Sequence, residues 1–372
     1  MPKTLGWGVM MKKTAIIYCE DHFGTMDGKT ANGLIRSSRK YQIVGVIDSE
    51  KAGMDTGEYL EGEKNGIPIF QNLDQAIESL PLVPNHFIYG IAPADAFLKS
   101  DERKTIMKAM ELKMDIINPL HEFFTEDAEF LNQSIKYGVT IHDIRKPPQS
   151  KDLHLFSGRI LDIQTPIIAV LGTDSAVGKR TTSVILEAAL LEMGLNVAFV
   201  ATGQTGIIQG AKYGVAIDAM PLQFMIGEIE NQIMNAYNED NPDIIIVEGQ
   251  GALSHPAYIS SCGILRGSRP GAVIIQHPPK RKHLGDFSFM EMPSIKSEIE
   301  LVENFSSSKV IAITINHENM SDKEIEAVVI EYEDQFQLPT TDVLKHGCDK
   351  LISSIFEAFP KLEHKKNKVL AN

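Results

Sequence analysis

The stretch PIIAVLGTDSAVGKRTTSVILEAALLEMG, residues 166–194, leaves a chain few choices of fold. An apolar run of strand length passes into a glycine-bearing loop, then a lysine, then a helical pattern that Gly194 is placed to stop. Those are the parts of a phosphate-binding loop. Backbone N–H groups from Asp174 to Arg180 can ring an anion, the helix N-terminus adds a positive dipole, and Lys179 supplies a full charge. The spelling departs from G-x-x-x-x-G-K-[S/T], which puts a hydroxyl directly after the lysine. Arg180 follows Lys179 here, Thr181 and Thr182 come later, and Gly172 lies one residue earlier than that spacing asks. A longer turn would pass the metal-binding hydroxyl role to Thr181 and leave Arg180 as a second cation. A bare strand-to-helix turn would explain the glycines but not the lysine.

The rest of the chain is organised around similar units. From Ala15 onward AIIYC, QIVGVID, HFIYGIA, MDIIN and GVTIHDI read as strands, with helical patterns at KTANGLIRSSRK and DERKTIMKAMELK. RKPPQSKDLHLFSGRILDIQTP, with Pro147 and Pro148, breaks the rhythm and is the best domain boundary. Beyond it NVAFVAT, DIIIVEG, GAVIIQH and KVIAITIN are strands, GQTG a loop, and PLQFMIGEIENQIMNAY and CDKLISSIFEAF helices. Strands alternating with helices specify parallel β-α-β units, and the runs IIAVL and DIIIV, apolar throughout, suit strands covered on both faces. The expected fold is α/β: a Rossmann-like N-terminal domain over 12–150, then a P-loop NTPase-like, doubly wound parallel-sheet domain over 151–363. Translation is expected to start at Met10 or Met11, and the terminal HKKNKVLAN to fray.

Several residues stand where such sheets place chemistry, outside strand C-termini. Glu248 closes a buried strand in DIIIVEGQGALSHPAY, a position for a general base or a Mg²⁺ ligand. His255 follows on the same loop as a second base or ligand, with a structural role as its alternative. ATGQTGIIQG offers Thr202, Gln204 and Thr205 as substrate contacts. Asp218 either contacts substrate or caps the next helix. Lys280, Arg281 and Lys282 in QHPPKRKH form a basic loop able to meet an acidic substrate or a distal phosphate, or simply to be solvated. In the first domain FGTMDGKTANG is another near miss to a phosphate loop, and Asp48 ends a strand where a dinucleotide fold would read a ribose hydroxyl.

Composition removes other classes. A net charge of −13 argues against nucleic-acid binding, which needs a basic footprint. Cys19, Cys262 and Cys348 are too scattered for a disulfide framework or a cysteine-rich zinc site. No secretory signal or run long enough to span a bilayer is present, so a cytoplasmic protein without membrane partners is expected, and a homo-oligomer.

GTDSAVGKRTT together with VEGQG resembles the dethiobiotin synthetase-like branch of P-loop proteins, which writes G-T-D-[ST]-x-V-G-K-T and V-E-G-x-G. Gly172, Thr173, Asp174, Ser175, Ala176, Val177, Gly178 and Lys179 fit that longer loop, and Arg180 stands where the branch places its magnesium-binding threonine. Asn316, ending AITIN, matches the place where such proteins read adenine. Over residues 13–360 the chain more closely resembles a two-domain family long catalogued as of unknown function, through GKTANGL, VGVIDS, GKRTT, DIRKPP, VEGQG and LPTTDVL. One branch of that family is described as D-glutamate N-acetyltransferase, acting in D-amino-acid catabolism. The resemblance implies acetyl transfer from acetyl-CoA to the amine of an acidic amino acid, D-glutamate foremost. The loop from Gly172 to Thr182 would then hold donor phosphates, with Glu248 or His255 as base, Lys179, Arg180 or loop N–H groups near the phosphates, and Lys179 counted with the catalytic residues. One alternative is an ATP- and Mg²⁺-dependent ligase or kinase of a small carboxylate, with Thr181 and Glu248 on the metal. Another is a nucleotide-gated regulatory or interaction protein.

Overall fold

The computed structural model describes residues 13–92 and 98–363. The expected start at Met10 or Met11 and the tail HKKNKVLAN lie outside the described residues. The chain divides into two compact units, one running to Ile144 and taking in Ile208–Gly210, the other formed by Arg145–Ile207 and the chain from Ala211 onward.

In the first unit the strands are β1 (Lys13–Tyr18), β2 (Tyr41–Ile47), β3 (Ile69–Phe70), β4 (His86–Tyr89), β5 (Asp115–Asn118) and β6 (Ile141–Asp143). They form one parallel sheet in the order β3-β2-β1-β4-β5-β6, the dinucleotide-fold arrangement with its reversal between β1 and β4. The expected helix from Lys29 ends at Arg36, because Ser37 turns extended and the Ser38 hydroxyl accepts the Tyr41 N–H to start β2.

The loop after β1 is folded on itself. Phe23 is fully buried, its N–H donates to Asp48 Oδ2 at 3.1 Å, and Lys51 Nζ reaches the same oxygen at 3.0 Å. Asn32 ties the Gly24 N–H and the Thr25 carbonyl together. Asp48 thus lies at the end of β2, where the pattern put it, and serves the loop's own backbone.

The second unit contains β7 (Ile167–Gly172), β8 (Val197–Ala201), β9 (Tyr213–Gly214), β10 (Ile244–Glu248), β11 (Ala272–His277), β12 (Lys309–Ile315) and β13 (Thr340–Thr341). They pair in parallel in the order β13-β12-β11-β7-β10-β8-β9. Each face of this sheet carries a hydrophobic layer, one including Ile229, Ile233, Ile245 and Ile264, the other Leu186, Leu190, Ile246 and Ile355. That double cover explains why β7 and β10 read as unbroken apolar runs. Register then assembles one end of the sheet: Val170 pairs with Glu248 and Gly172 with Gln276, so β7, β10 and β11 deliver their last residues together.

The expected GQTG loop is a correction, since the helix Gln204–Gln209 begins inside it. Glu248 accepts the N–H groups just ahead of that helix, so the turn closes without a longer loop. Two further helices, Ile295–Ser306 and Asp322–Phe336, complete the β-α alternation beyond β11. No helix among the described residues is long and apolar enough to cross a membrane.

Ile246 is wholly buried in the centre of this sheet. Ile246→Ala is expected to destabilise the second unit by about 2–5 kcal/mol through lost transfer energy and a residual cavity. Urea unfolding followed by circular dichroism checks it; an unchanged midpoint would contradict the packing described.

Candidate functional site

The loop between β7 and the helix Lys179–Glu192 is built from inside and from outside. Inside, Ala176 and Gly178 take positive φ values of 47° and 106°, and Gly178 closes the turn with a backbone conformation that disfavours other residues. The first helical bond runs from the Thr182 N–H to the Gly178 carbonyl, so the helix N-terminus begins at the loop's last residue. Lys179 Nζ donates to the Asp174 carbonyl across that hollow. Thr182 donates its hydroxyl to Gln276 Oε1 at 2.6 Å.

Outside, Arg281 grips the loop with its whole guanidinium. Nη1 donates to Asp174 Oδ2 (2.9 Å) and the Ser175 carbonyl (3.1 Å), Nη2 to Glu318 Oε2 (2.7 Å) and more weakly to the Ala176 carbonyl (3.4 Å), and Nε to Glu318 Oε1 (2.8 Å). Asp174 also accepts the Gly285 N–H at 2.8 Å and is fully buried. Asn316 donates to the Val177 carbonyl of the loop at 3.0 Å, while its Oδ1 accepts the Glu318 N–H in its own segment. Thr173 contributes its N–H to the Gln276 carbonyl and its hydroxyl to a contact with His277 Nδ1 at 2.8 Å. Ser175 donates to Asp286 Oδ2, which also receives the Tyr258 hydroxyl.

Glu248 stands beside this loop. Its Oε2 accepts the N–H groups of Thr202 (3.0 Å) and Gly203 (3.2 Å), while the Thr202 hydroxyl donates to the Glu248 carbonyl and receives Gln250 Nε2. Burial raises its pKa against the opposing charge of Arg180, the two N–H donors and Lys179. A carboxyl that is harder to ionise is a stronger base once ionised. The chain leaves β10 through Gly249, where any Cβ would stand 2.1 Å from the Val170 carbonyl oxygen, so only glycine lets this strand end lie so close to β7.

His255 is buried, stacked on Tyr258 at 4.3 Å between ring centroids, with Nε2 3.8 Å from Asp174 Oδ1. Burial lowers its pKa, against the carboxylates of Asp174 and Asp286. The site therefore brings together Lys179, Arg180, Glu248 and His255 of the expected set. Thr205 and Gln204 lie buried in the short helix after β8. Asp218 takes Arg145 Nε and Nη2 at 3.0 and 2.8 Å, and caps no helix. Thr181 is half-buried in the first turn. Among the described residues no group of three or more His, Cys, Asp or Glu is arranged to hold a metal ion.

With this geometry in view, comparison with known proteins is specific. Residues 154–352 match a domain described as "Domain of unknown function (DUF1611_C) P-loop domain", and 49–147 a "Domain of unknown function (DUF1611_N) Rossmann-like domain". The chain belongs to the DUF1611 family. A DUF1611 protein from Anabaena variabilis ATCC 29413 superposes with a TM-score of 0.85 at 28% identity, over 93% of this chain and all of that one. A Pseudoalteromonas protein named D-glutamate N-acetyltransferase is 32% identical over 301 residues, 78% of this chain and 88% of its own. A Tritonibacter scottomollicae protein of the same name is 28% identical over 278 residues, 72% and 80%.

Sequence reasoning missed several residues that build this DUF1611 site. Gln276 and His277 end β11 as polar residues after an apolar run, and that change of polarity is their signal in the sequence. Glu298 is a clearer omission: it accepts the Leu253 and Ser254 N–H groups and the Ser254 hydroxyl, fixing the loop that carries His255. Its place in the buried stripe Ile295, Glu298 and Val302 marks a carboxylate on the apolar face of a helix. Burial raises its pKa over the lowering by those donors and Lys179.

His277 supplies a pH test. Burial, with Arg281 nearby, pushes its pKa down from 6.5 to about 4. The folded ring stays neutral where the unfolded one is charged, so its stabilisation is complete above pH 6.5 and is lost as pH falls toward 4. Between pH 7 and 5 the loss is about 2 kcal/mol. His277→Gln should flatten that part of the stability–pH curve in thermal unfolding; parallel curves for both proteins would contradict the assignment.

Proposed function

We propose that the protein is an N-acyltransferase that moves an acetyl group from acetyl-CoA to the amine of an acidic amino acid, with D-glutamate as first candidate. The relatives named D-glutamate N-acetyltransferase support the reaction class. The observation that carries the mechanism is local: Arg180, directly after the loop lysine, is the foremost opposing charge on Glu248. A P-loop used for γ-phosphate transfer needs a divalent ion between the post-lysine hydroxyl and such an acid. A guanidinium there offers fixed N–H donors to a diphosphate and competes with a metal for the same carboxylate.

In this reading Lys179, Arg180 and the N–H groups of the first helical turn hold the diphosphate of coenzyme A. Thr202, Gln204 and Thr205 belong to the segment nearest Glu248 and frame the acceptor. Glu248 takes a proton from the acceptor ammonium, and the freed amine attacks the thioester carbonyl carbon. The new C–N bond forms as the C–S bond breaks. The leaving thiolate takes the second amine proton, giving free coenzyme A and the N-acetyl amino acid. Direct attack needs no acyl-enzyme, so no cysteine is called upon. Arg281, with its N–H groups committed to Asp174, Glu318 and two loop carbonyls, acts on the donor only by holding the loop's shape.

The decisive assay follows thiol release from acetyl-CoA over D- and L-amino acids, with and without ATP·Mg²⁺, with products identified by mass. An N-acetylated acidic amino acid formed without ATP is the expected result. Substrate-dependent ADP without thiol would instead make the chain a ligase or kinase with Thr181 and Glu248 on the metal. Silence in both would favour a binding protein. Lys179→Ala should weaken acetyl-CoA binding about 10- to 100-fold with the fold intact, as expected for loss of a charge-assisted contact. Glu248→Gln should lower kcat about 10²- to 10⁴-fold with donor binding kept.

A further inference from the structure

One buried polar atom beside the loop lacks the partner that its surroundings demand. The His255 side chain is wholly buried, and its Nε2 makes no hydrogen bond. The other ring nitrogen is committed, since Nδ1 accepts the Ala257 N–H at 3.2 Å. A backbone amide only donates, so a neutral ring meeting it keeps its lone pair on Nδ1 and its proton on Nε2. Burial lowers the ring's pKa against Asp174 and Asp286, with Lys179 acting in the same sense as burial, which favours the neutral ring.

The direction of that N–H is also fixed. Tyr258 stacks on the ring with 16° between planes, and Phe287 lies tilted with its centroid 5.8 Å away. The Tyr258 hydroxyl is anchored on Asp286, and Glu298 holds the backbone at Leu253 and Ser254. Nε2 lies 3.8 Å from Asp174 Oδ1, beyond hydrogen-bond reach, on the loop where Lys179 Nζ meets the Asp174 carbonyl. Asp174 has no need of it: Oδ1 takes the Ser175 N–H, and Oδ2 takes Arg281 and Gly285. A buried unpaired N–H costs about 1–3 kcal/mol, a cost that is relieved when a ligand oxygen arrives.

We propose that His255 is a hydrogen-bond donor, through Nε2–H, to a diphosphate oxygen of the ligand held at the P-loop, and not a general base. This deepens the reading above and rests on its assignment of the loop to a diphosphate; it does not need acetyl transfer. The roles of the two candidate bases then separate. Glu248 moves the proton, while His255 helps to bind the donor. Because imidazolium also donates from Nε2, donor affinity should not fall as pH drops through the ring's pKa, whereas a base would lose function there.

The test combines calorimetry and NMR on the full chain. Coenzyme A and inorganic pyrophosphate are titrated into the wild type, His255→Gln and His255→Leu. Glutamine retains an N–H donor, so it is expected to stay within about threefold of wild type, while leucine should lose about tenfold, equivalent to about 1.4 kcal/mol. Two-dimensional ¹H–¹⁵N spectra of the imidazole should show the wild-type proton on Nε2, with its resonance moving when coenzyme A is added. A proton on Nδ1, or wild-type affinity in His255→Leu, overturns the proposal while leaving the loop assignment standing. A wild type that binds neither ligand overturns the loop assignment and this proposal together. Should His255→Leu fail to fold, the tautomer and its response to coenzyme A decide the matter in the wild type alone.

Discussion

The shape of the phosphate loop depends on the guanidinium of Arg281, whose five N–H groups converge on Asp174, Glu318 and two loop carbonyls. Asp174 is fully buried, and Arg281 with the N–H groups of Ser175 and Gly285 supplies the partners that a buried carboxylate needs. The loop contains Ala176 in a left-handed conformation, a state costing about 1–2 kcal/mol for an L-residue. That strain persists because Arg281 and Asn316 hold the carbonyls of Ser175, Ala176 and Val177 from outside. The cradle's shape is thus held by the protein's own contacts.

The same framework gives the residues around the cradle distinct tasks. Parallel pairing of β7 with β10 and β11 brings Gly172, Glu248 and Gln276 to one sheet end. Glu248 is held by backbone N–H groups and faces positive charge from Arg180 and Lys179, while Glu298 holds the backbone of the neighbouring loop. Two buried carboxyl groups with raised pKa values therefore do different work, and their hydrogen-bond partners tell them apart.

Much of the fold was legible because periodicity is local. The unbroken runs ending at Gly172 and Glu248 announced buried parallel strands, and Gly194 takes the positive φ expected of a helix stop. The two-residue strands β3, β9 and β13 were not legible, since so short a segment has no period. The GQTG turn was misread for another reason: its helix starts against Glu248, far away in sequence. The site was legible where backbone geometry dictates residue type, at Gly178 and Lys179. It was opaque where a residue acts on a distant loop, as Arg281, Gln276 and Glu298 do. Arg281 read as part of a basic loop, solvated or meeting an acidic substrate or a distal phosphate, because nothing near it in sequence reveals that Asp174 and Glu318 will meet it.

The hydroxyls of Ser175 and Tyr258 share one carboxylate oxygen, Asp286 Oδ2. Ser175 belongs to the phosphate loop, while Tyr258 forms the wall against which His255 stacks. Any anion that drew the Ser175 hydroxyl toward itself would leave Asp286 with Tyr258 alone and change how firmly that wall is held. Linkage makes the effect reciprocal: a molecule that altered the Tyr258 contact would change anion affinity at the loop by the same factor. Filling one half of the site and shaping the other are then a single equilibrium, read from either end.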